Sequence, residues 1–361
     1  MKRALDLAAR ARGRTSPNPM VGAVIVRDGR VVGEGYHERA GLPHAEVVAL
    51  EQAGELAKGA TLYVTLEPCC HWGRTPPCTK AIIRSGIKEV IIATLDPNPL
   101  VSGKGVDELR RNGIEVEIGL MEEEARKLNE FFFKHITTGL PFVILKIAMS
   151  LDGKIATVTG ESRWITSPQS RRMVHELRDQ VDAVMVGIGT VLKDDPRLTT
   201  RLPEGEGKDP IRVILDSYAR TPPTARVINP RSSASTIIAT TTKADAGRVK
   251  ALREAGAEVA VLDEDEEGRV DLKSLMEYLG GRSIQSLLVE GGSEVASSML
   301  MRGFVDKVMF FIAPKIIGGA DAPTPIGGIG VRRLSEAITL KEVEVKRIGP
   351  DILIQGYVER C

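Results

Sequence analysis

Hydrophobic positions along the chain follow two periods, close to two in short β-branched runs and close to 3.6 in longer segments, and the two kinds of segment alternate. Leu5, Ala8, Ala9 and Arg12 fit a first helix that faces a core, and Val21 to Val26, an Asp28-Gly29 turn and Val31 to Gly35 predict a hairpin. A helix from His44 to Ala53, a strand from Thr61 to Thr65, a helix from Thr79 to Ser85 and a strand from Glu89 to Ala93 follow. A hairpin followed by alternating strands and helices predicts a mixed sheet in an α/β layer structure. One long helix, Glu122 to Thr137, then runs to Gly139-Leu140-Pro141, whose residues end a helix and open the strand Phe142 to Met149. This places the domain boundary between residues 1–138 and 139–361.

The second part alternates again. Helices are expected at Pro168 to Gln180, Lys243 to Ala255, Asp271 to Leu279 and Glu294 to Arg302. Strands are expected at Ala183 to Val186, Arg212 to Leu215, Thr236 to Ala239, Glu258 to Val261, Ser286 to Val289, Val305 to Ala313, Leu340 to Val345 and Asp351 to Val358. It reads as a second α/β domain, and a length of 361 residues favours two cores over one.

Composition narrows the function classes. With 42% apolar and 27% charged residues the chain is an ordinary folded protein. Its 49 Lys and Arg balance 48 Asp and Glu, and aromatics are 4%, so neither a global field nor base-stacking platforms favour nucleic acid or a membrane surface. The longest apolar run, Val308 to Ile317, is broken by Pro314 and Lys315 and falls short of the ~18 residues of a membrane span. The basic N-terminal segment resembles a transit peptide in composition but is read as the first helix, since no small-residue cleavage site follows an apolar stretch. Three of four cysteines, Cys69, Cys70 and Cys78, crowd into ten residues. That is too local for a disulfide framework and fits a metal or catalytic site in a reducing, cytoplasmic compartment.

The chemistry of that cluster can be read from its spacing. His44-Ala45-Glu46 opens a helix, and Glu67-Pro68-Cys69 precedes Cys78, which opens another. One imidazole and two thiolates suit zinc, and three protein ligands leave its fourth position for water, the mark of a catalytic site. Glu46, two positions from the ligand His44, is placed to take the proton of that water and pass it to a ring nitrogen or departing ammonia. A structural site with Cys70 as fourth ligand is the bland alternative. Deaminases of bases carry His-x-Glu and then Pro-Cys-x-x-Cys, whereas here eight residues separate Cys69 from Cys78.

Those eight residues, Cys70-His71-Trp72-Gly73-Arg74-Thr75-Pro76-Pro77, together with Thr15-Ser16-Pro17-Asn18-Pro19-Met20-Val21-Gly22, closely resemble the bacterial riboflavin-biosynthesis deaminase/reductase family. The resemblance covers essentially the whole chain. It implies an N-terminal cytidine-deaminase-like three-layer α/β/α domain that replaces the 2-amino group of a diaminopyrimidinone ribosylamino phosphate with oxygen. It implies also a C-terminal dihydrofolate-reductase-like α/β domain that reduces the ribosyl side chain to ribityl with NADPH. By the same resemblance His44, Cys69 and Cys78 hold Zn2+, Glu46 is the proton donor, and Asn18, His37, His71 and Arg74 meet the substrate. Asn18 between prolines could instead set a turn, and His37 could be a surface residue; a planar base does need polar groups aimed at its edge. Cys70 receives no ligand role, and His135, His175 and Cys361 are read as structural.

The second domain offers Lys146 to Lys154, Gly160 to Thr166, Gly187 to Arg201 and Val289-Glu290-Gly291-Gly292-Ser293, each resembling a stretch of the family's reductase. No GxGxxG fingerprint is present, so the NADPH expectation rests on resemblance. Gly291 and Gly292 between strand and helix would let a pyrophosphate approach the helix N-terminus. Resemblance places Ser162, Arg178, Leu198, Arg201 and Glu290 on the substrate, and Ala148, Trp164, Thr190, Asp194, Gly292 and Ser293 on the cofactor. Arg178 and Arg201 could grip the sugar phosphate by bidentate contacts. Lys146 either helps polarise the ribosyl ring oxygen or is a snorkelling lysine at a strand edge. Thr240-Thr241-Thr242-Lys243 is a candidate for the 2′-phosphate that separates NADPH from NADH. The expected protein is thus a small-molecule enzyme, homo-oligomeric through its reductase domain. Its rivals are a nucleic-acid-editing deaminase, which would need a basic groove and a short Cys-x-x-Cys, and a deaminase with a catalytically silent C-terminal half.

Overall fold

The computed structural model describes residues 1–73, 76–99, 101–203, 205, 207–228 and 231–359. The chain divides into two compact units, Met1–Gly139 and Leu140–Cys361.

The first unit runs α1 (Lys2–Ala9), β1 (Gly22–Arg27), β2 (Arg30–Tyr36), α2 (Ala45–Ala53), β3 (Thr61–Val64), α3 (Cys78–Arg84), β4 (Glu89–Ile92), α4 (Lys104–Arg111), β5 (Glu115–Ile118), α5 (Glu122–Leu128) and α6 (Glu130–Thr138). Its sheet has the order β2-β1-β3-β4-β5, antiparallel around β1 and parallel from β3 to β5, which is the mixed sheet the pattern predicts. Alternation along β1 builds three layers: Val24 packs with Ala4 and Leu7 of α1 on one face, while Ala23 and Ile25 join Ala49 and Ala53 of α2 on the other. Gly33 lets α2 sit flat on the sheet, since a Cβ there would run into the Ala49 carbonyl. That close seat fixes the height of the N-terminus of α2, where His44 stands as N-cap.

Two expectations need correction. The first helix ends at Ala9 and buries Ala4, Leu5, Leu7 and Ala8, leaving Arg12 exposed and Ala9 half-buried, because the helix is too short to carry its face further. The helix expected over Glu122 to Thr137 is two, broken at Asn129, whose side chain bonds elsewhere. The short elements α4 and β5 were not expected from the pattern.

The second unit comprises β6 (Phe142–Ser150), α7 (Pro168–Gln180), β7 (Ala183–Gly187), α8 (Ile188–Asp194), β8 (Ile211–Leu215), β9 (Thr236–Thr240), α9 (Ala246–Glu254), β10 (Glu258–Val261), α10 (Leu272–Gly281), β11 (Ser286–Glu290), α11 (Ser293–Met301), β12 (Lys307–Ala313), β13 (Leu340–Ile348) and β14 (Asp351–Val358). The strand order is β10-β9-β8-β7-β11-β6-β12-β14-β13, parallel through β12 with an antiparallel hairpin at one edge. β7, β9 and β11 are buried along their whole length, as strands covered on both faces must be. The helix expected from Lys243 begins at Ala246, because the Asp245 carboxylate caps it by accepting from Arg248 N. α8 directly after β7 was not expected from the pattern.

Candidate metal centre and cofactor cleft

In the first unit the sequence places His44 at the start of α2, Cys78 at the start of α3, and Cys69 in the loop after β3. Folding brings one donor atom from each to within 4.8 Å of the others. His44 Nδ1 lies 3.2 Å from Cys78 Sγ and 3.6 Å from Cys69 Sγ. The set of one nitrogen and two sulfurs fits zinc with an open fourth position. Among the described residues Cys70 does not join it. The Cys78 thiol, its backbone N–H at 3.4 Å and His44 converge on Cys69 and bring that thiol down to about 4, which favours the ligating thiolate. Glu46 follows on α2, buried, and burial first, then the Cys69 charge, pushes its carboxyl up to about 7.

Asn18 and His37 meet beside this cluster: His37 Nδ1 lies 3.1 Å from the Pro43 carbonyl and must donate to it, so Nε2 accepts from Asn18 Nδ2 at 3.0 Å. Burial, chiefly, holds His37 below its ordinary pKa. It is buried rather than at the surface, and its bond orients the Asn18 amide. The ring of His37 stands edge-on to that of His44, centroids 5.3 Å apart. Among the described residues the buried Nδ1 of His71 has no hydrogen-bond partner, as a group awaiting a ligand would. Arg74 and Cys361 lie outside the described residues.

Three positioning groups escaped the sequence reading. Glu67 is buried, and its carboxylate accepts from Gly103 N at 2.9 Å, Gly105 N at 2.9 Å and Val106 N at 3.2 Å, tying the Cys69 loop to the start of α4. Asp96, just after β4, is raised to about 6 by burial first, with Glu67 and Cys69 adding to it and His71 opposing it. Asn129 clamps the Asn18 loop, accepting from Met20 N at 2.7 Å and donating to Met20 O at 2.9 Å. Carboxylates directly after the C-terminal ends of parallel strands were the available signal for the first two.

The second unit holds a cleft of about 1380 Å³. Lys146, Ala148, Ser162, Trp164, Arg178, Thr190, Asp194, Arg201, Glu290, Gly292 and Ser293 all line it. Leu198 is buried, at φ +54° in the loop between the cleft residues Asp194 and Arg201. Lys146 lies on β6 between β11 and β12, so it is not an edge lysine. Its Nζ stands 3.1 Å from Glu290 Oε2. Arg178 gives Glu290 a two-pronged bond at 2.6 and 3.0 Å and a third bond to Thr199 O at 3.0 Å. Its fork is therefore engaged by Glu290 and Thr199; Arg201 is bonded as well, Nη1 donating to Thr199 Oγ1 at 3.0 Å and Nη2 lying 3.3 Å from His175 Nε2. Burial alone would raise Glu290, but Arg178 and Lys146 outweigh it and hold the carboxyl at about 2.

His175, read as structural, lines the cleft one helical turn before Arg178. Its ring nitrogens lie 3.3 Å from both the backbone N and Nη2 of Arg201, and burial, then Arg178 and Arg201, lower it to about 4, so it stays neutral. Trp164 is 63% exposed, with the Arg171 guanidinium 4.5 Å from its ring centre, so it is not a core aromatic. Gly291 and Gly292 join β11 to α11 at φ +89° and +82°, and a Cβ on Gly291 would approach Thr190 Oγ1 at 3.4 Å. The bare backbone beside a helix start fits the pyrophosphate of a dinucleotide. The candidate run Thr240 to Lys243 is corrected: its hydroxyls donate to Ser217 O and Glu264, Lys243 pairs with Glu264 at 2.6 Å, and none of the four lines the cleft.

Comparison with known proteins gives a consistent pattern. Residues 1–94 match the family described as "Cytidine and deoxycytidylate deaminase zinc-binding region", and residues 141–354 match the "RibD C-terminal domain". "Riboflavin biosynthesis protein RibD" of Aquifex aeolicus is 51% identical over 98% of this chain and 96% of its own length. The protein of the same name from Escherichia coli is 44% identical over 98% and 97%. Among solved structures, Acinetobacter baumannii RibD superposes with a TM-score of 0.88 at 39% identity, covering 99% of this chain and 97% of that one. A diaminohydroxyphosphoribosylaminopyrimidine deaminase/5-amino-6-(5-phosphoribosylamino)uracil reductase from Thermotoga maritima gives 0.85 at 43%, covering 100% and 97%.

Proposed function

Since the chain belongs to the RibD family of riboflavin-biosynthesis proteins, we propose that His44, Cys69, Cys78 and Glu46 carry out its deamination and that Lys146, Glu290 and Arg201 serve its reduction. The enzyme is a bifunctional deaminase and reductase. It hydrolyses the 2-amino group of 2,5-diamino-6-(5-phosphoribosylamino)pyrimidin-4(3H)-one and then reduces the ribosyl chain of the resulting uracil to ribityl, using Zn2+ and NADPH. Residues 1–138 are assigned to the first reaction and 139–361 to the second.

Zinc supplies Lewis acidity that makes water nucleophilic near neutral pH, and NADPH supplies hydride. Glu46, buried and raised towards neutrality, can take a proton from water and pass it to the ring nitrogen, then carry a second proton, from the hydroxyl added to the ring carbon, to the amino group that departs as ammonia. Asn18, oriented by His37, presents its amide to the pyrimidine edge, and the unpartnered Nδ1 of His71 offers a second polar contact. In the cleft Arg201, backed by neutral His175, is the cation for the sugar phosphate, and Ser162 lines the same cleft. Lys146, held by Glu290, directs an N–H at the ribosyl ring oxygen, which aids opening of the sugar towards the species that accepts hydride at C1.

The convergence of three soft donors beside a buried Glu46 is the observation that carries the deaminase assignment. Among the described residues no helix is long and apolar enough to cross a membrane, which accords with a cytoplasmic site of action for a small-molecule enzyme; the balance of 49 Lys and Arg against 48 Asp and Glu gives no field to draw nucleic acid. Exposed Val343, Val345 and Ile352 on the β13–β14 edge support association of reductase units into a homo-oligomer. Incubation with the diaminopyrimidinone phosphate, with and without NADPH and a zinc chelator, tests the whole reading. The chelator should abolish ammonia release yet spare NADPH oxidation with deaminated substrate; equal loss of both would refute two separate sites.

A further inference from the structure

We infer that Arg220, in the turn after β8, reads the 2′-phosphate of the cofactor and so sets its preference for NADPH over NADH; this rests on the cofactor reading of the cleft. The parallel strands β6, β11, β7 and β8 lie side by side and their C-terminal ends open on the cleft. Lys146 and Glu290, the reducing end, pair in register on β6 and β11. The glycine pair suited to the pyrophosphate follows β11, and Thr190 follows β7. Three strand spacings, about 14 Å, separate β6 from β8. A dinucleotide laid out from its nicotinamide at β6 across the glycines therefore brings its adenosine ribose to the turn after β8, where Ser217, Tyr218 and Arg220 line the cleft.

That turn is a built one. The buried Asp216 carboxylate accepts from Thr221 N at 2.7 Å and from Thr221 Oγ1 at 2.8 Å. Ser217 O accepts from the Thr240 and Thr241 hydroxyls at 3.0 Å each, and Ser217 Oγ accepts from Val270 N at 3.0 Å, which leaves the Ser217 O–H to donate. The threonines once suited to the phosphate thus brace the turn from behind. Arg269 and Arg302 also line this region, but each is already held by two carboxylates: Glu267 and Glu294, Asp265 and Asp271. The half-exposed Arg220 guanidinium has one long ion pair among the described residues, from Nε to Asp216 Oδ1 at 3.9 Å, which engages neither terminal nitrogen, whereas Arg269 and Arg302 are paired at 3.3 and 2.7 Å. Its planar fork is left for a phosphomonoester, the one group by which the two cofactors differ.

The test is direct binding by calorimetry of NADPH, NADH and adenosine 2′,5′-bisphosphate to the full chain. Arg220→Gln should weaken NADPH and the bisphosphate together by roughly 10- to 100-fold, as loss of a charge-assisted bond does, and leave NADH unchanged. Arg220→Lys should restore part of the loss, and Lys243→Ala should leave all three ligands unaffected. Equal weakening of NADPH and NADH, or no weakening of either in Arg220→Gln, would overturn the assignment alone. A wild-type chain that binds neither dinucleotide would overturn the cofactor reading and this inference with it.

Discussion

Replacing Glu290 by Gln tests the electrostatics of the reductase site most directly. The carboxylate is fully buried between Lys146 Nζ at 3.1 Å and the Arg178 fork at 2.6 and 3.0 Å. Holding its pKa at about 2 against an ordinary 4.5 is worth about 3 kcal/mol of stability. The pKa is depressed on folding, so this contribution is present in full above pH ~4.5 and is lost as the pH falls from there towards 2. The Gln variant loses it at every pH and also strands two cations facing each other in a buried setting, for which about 3–5 kcal/mol is expected. Native-state hydrogen exchange in urea, read on the amides of β6 and β11, isolates the reductase unit from the deaminase. At pH 7 Glu290→Gln should lower the opening free energy of these strands by that amount, and the gap between variant and wild type should shrink below pH 4. Lys146→Met added to Glu290→Gln should recover part of the loss, because it removes one stranded charge. Equal protection in wild type and Glu290→Gln at pH 7 would refute the account.

Other consequences are as open to measurement. Glu46→Gln should retain zinc by metal analysis while slowing ammonia release by about 10²–10⁴. Asn129→Ala frees Met20 from two hydrogen bonds of about 1 kcal/mol each, so the deaminase KM should rise roughly 10-fold or more, with zinc content and NADPH oxidation unchanged in the same kinetic assays. Gly105→Ala drives a Cβ into the Pro68 carbonyl and crowds Glu67 Oε1 at 3.1 Å; competition with a chelator should report zinc binding weaker by about 10–100-fold. Arg201→Ala should raise the reductase KM without altering ammonia release, and inorganic phosphate should lose its competition with substrate in parallel.

What the sequence determined by itself is whatever depends on near neighbours. Period-two and period-3.6 runs set most elements, and the β1–β2 turn and the helix opened by Pro168 follow from local stereochemistry. His44, Glu46 and Cys78 were legible because two helix starts and a compound spacing constrain them within a few dozen residues. Tertiary structure decided the matters that join distant segments. Asn129 breaks a helix because its amide completes the backbone of Met20, 109 positions away. Arg178 bonds Glu290, 112 positions on, because a buried carboxylate demands a partner. The run Thr240 to Lys243 has the composition of a phosphate site, yet its hydroxyls and amine are consumed by Ser217 and Glu264. Local pattern sets which groups a segment offers; only the fold settles which of them remain unsatisfied and free to bind.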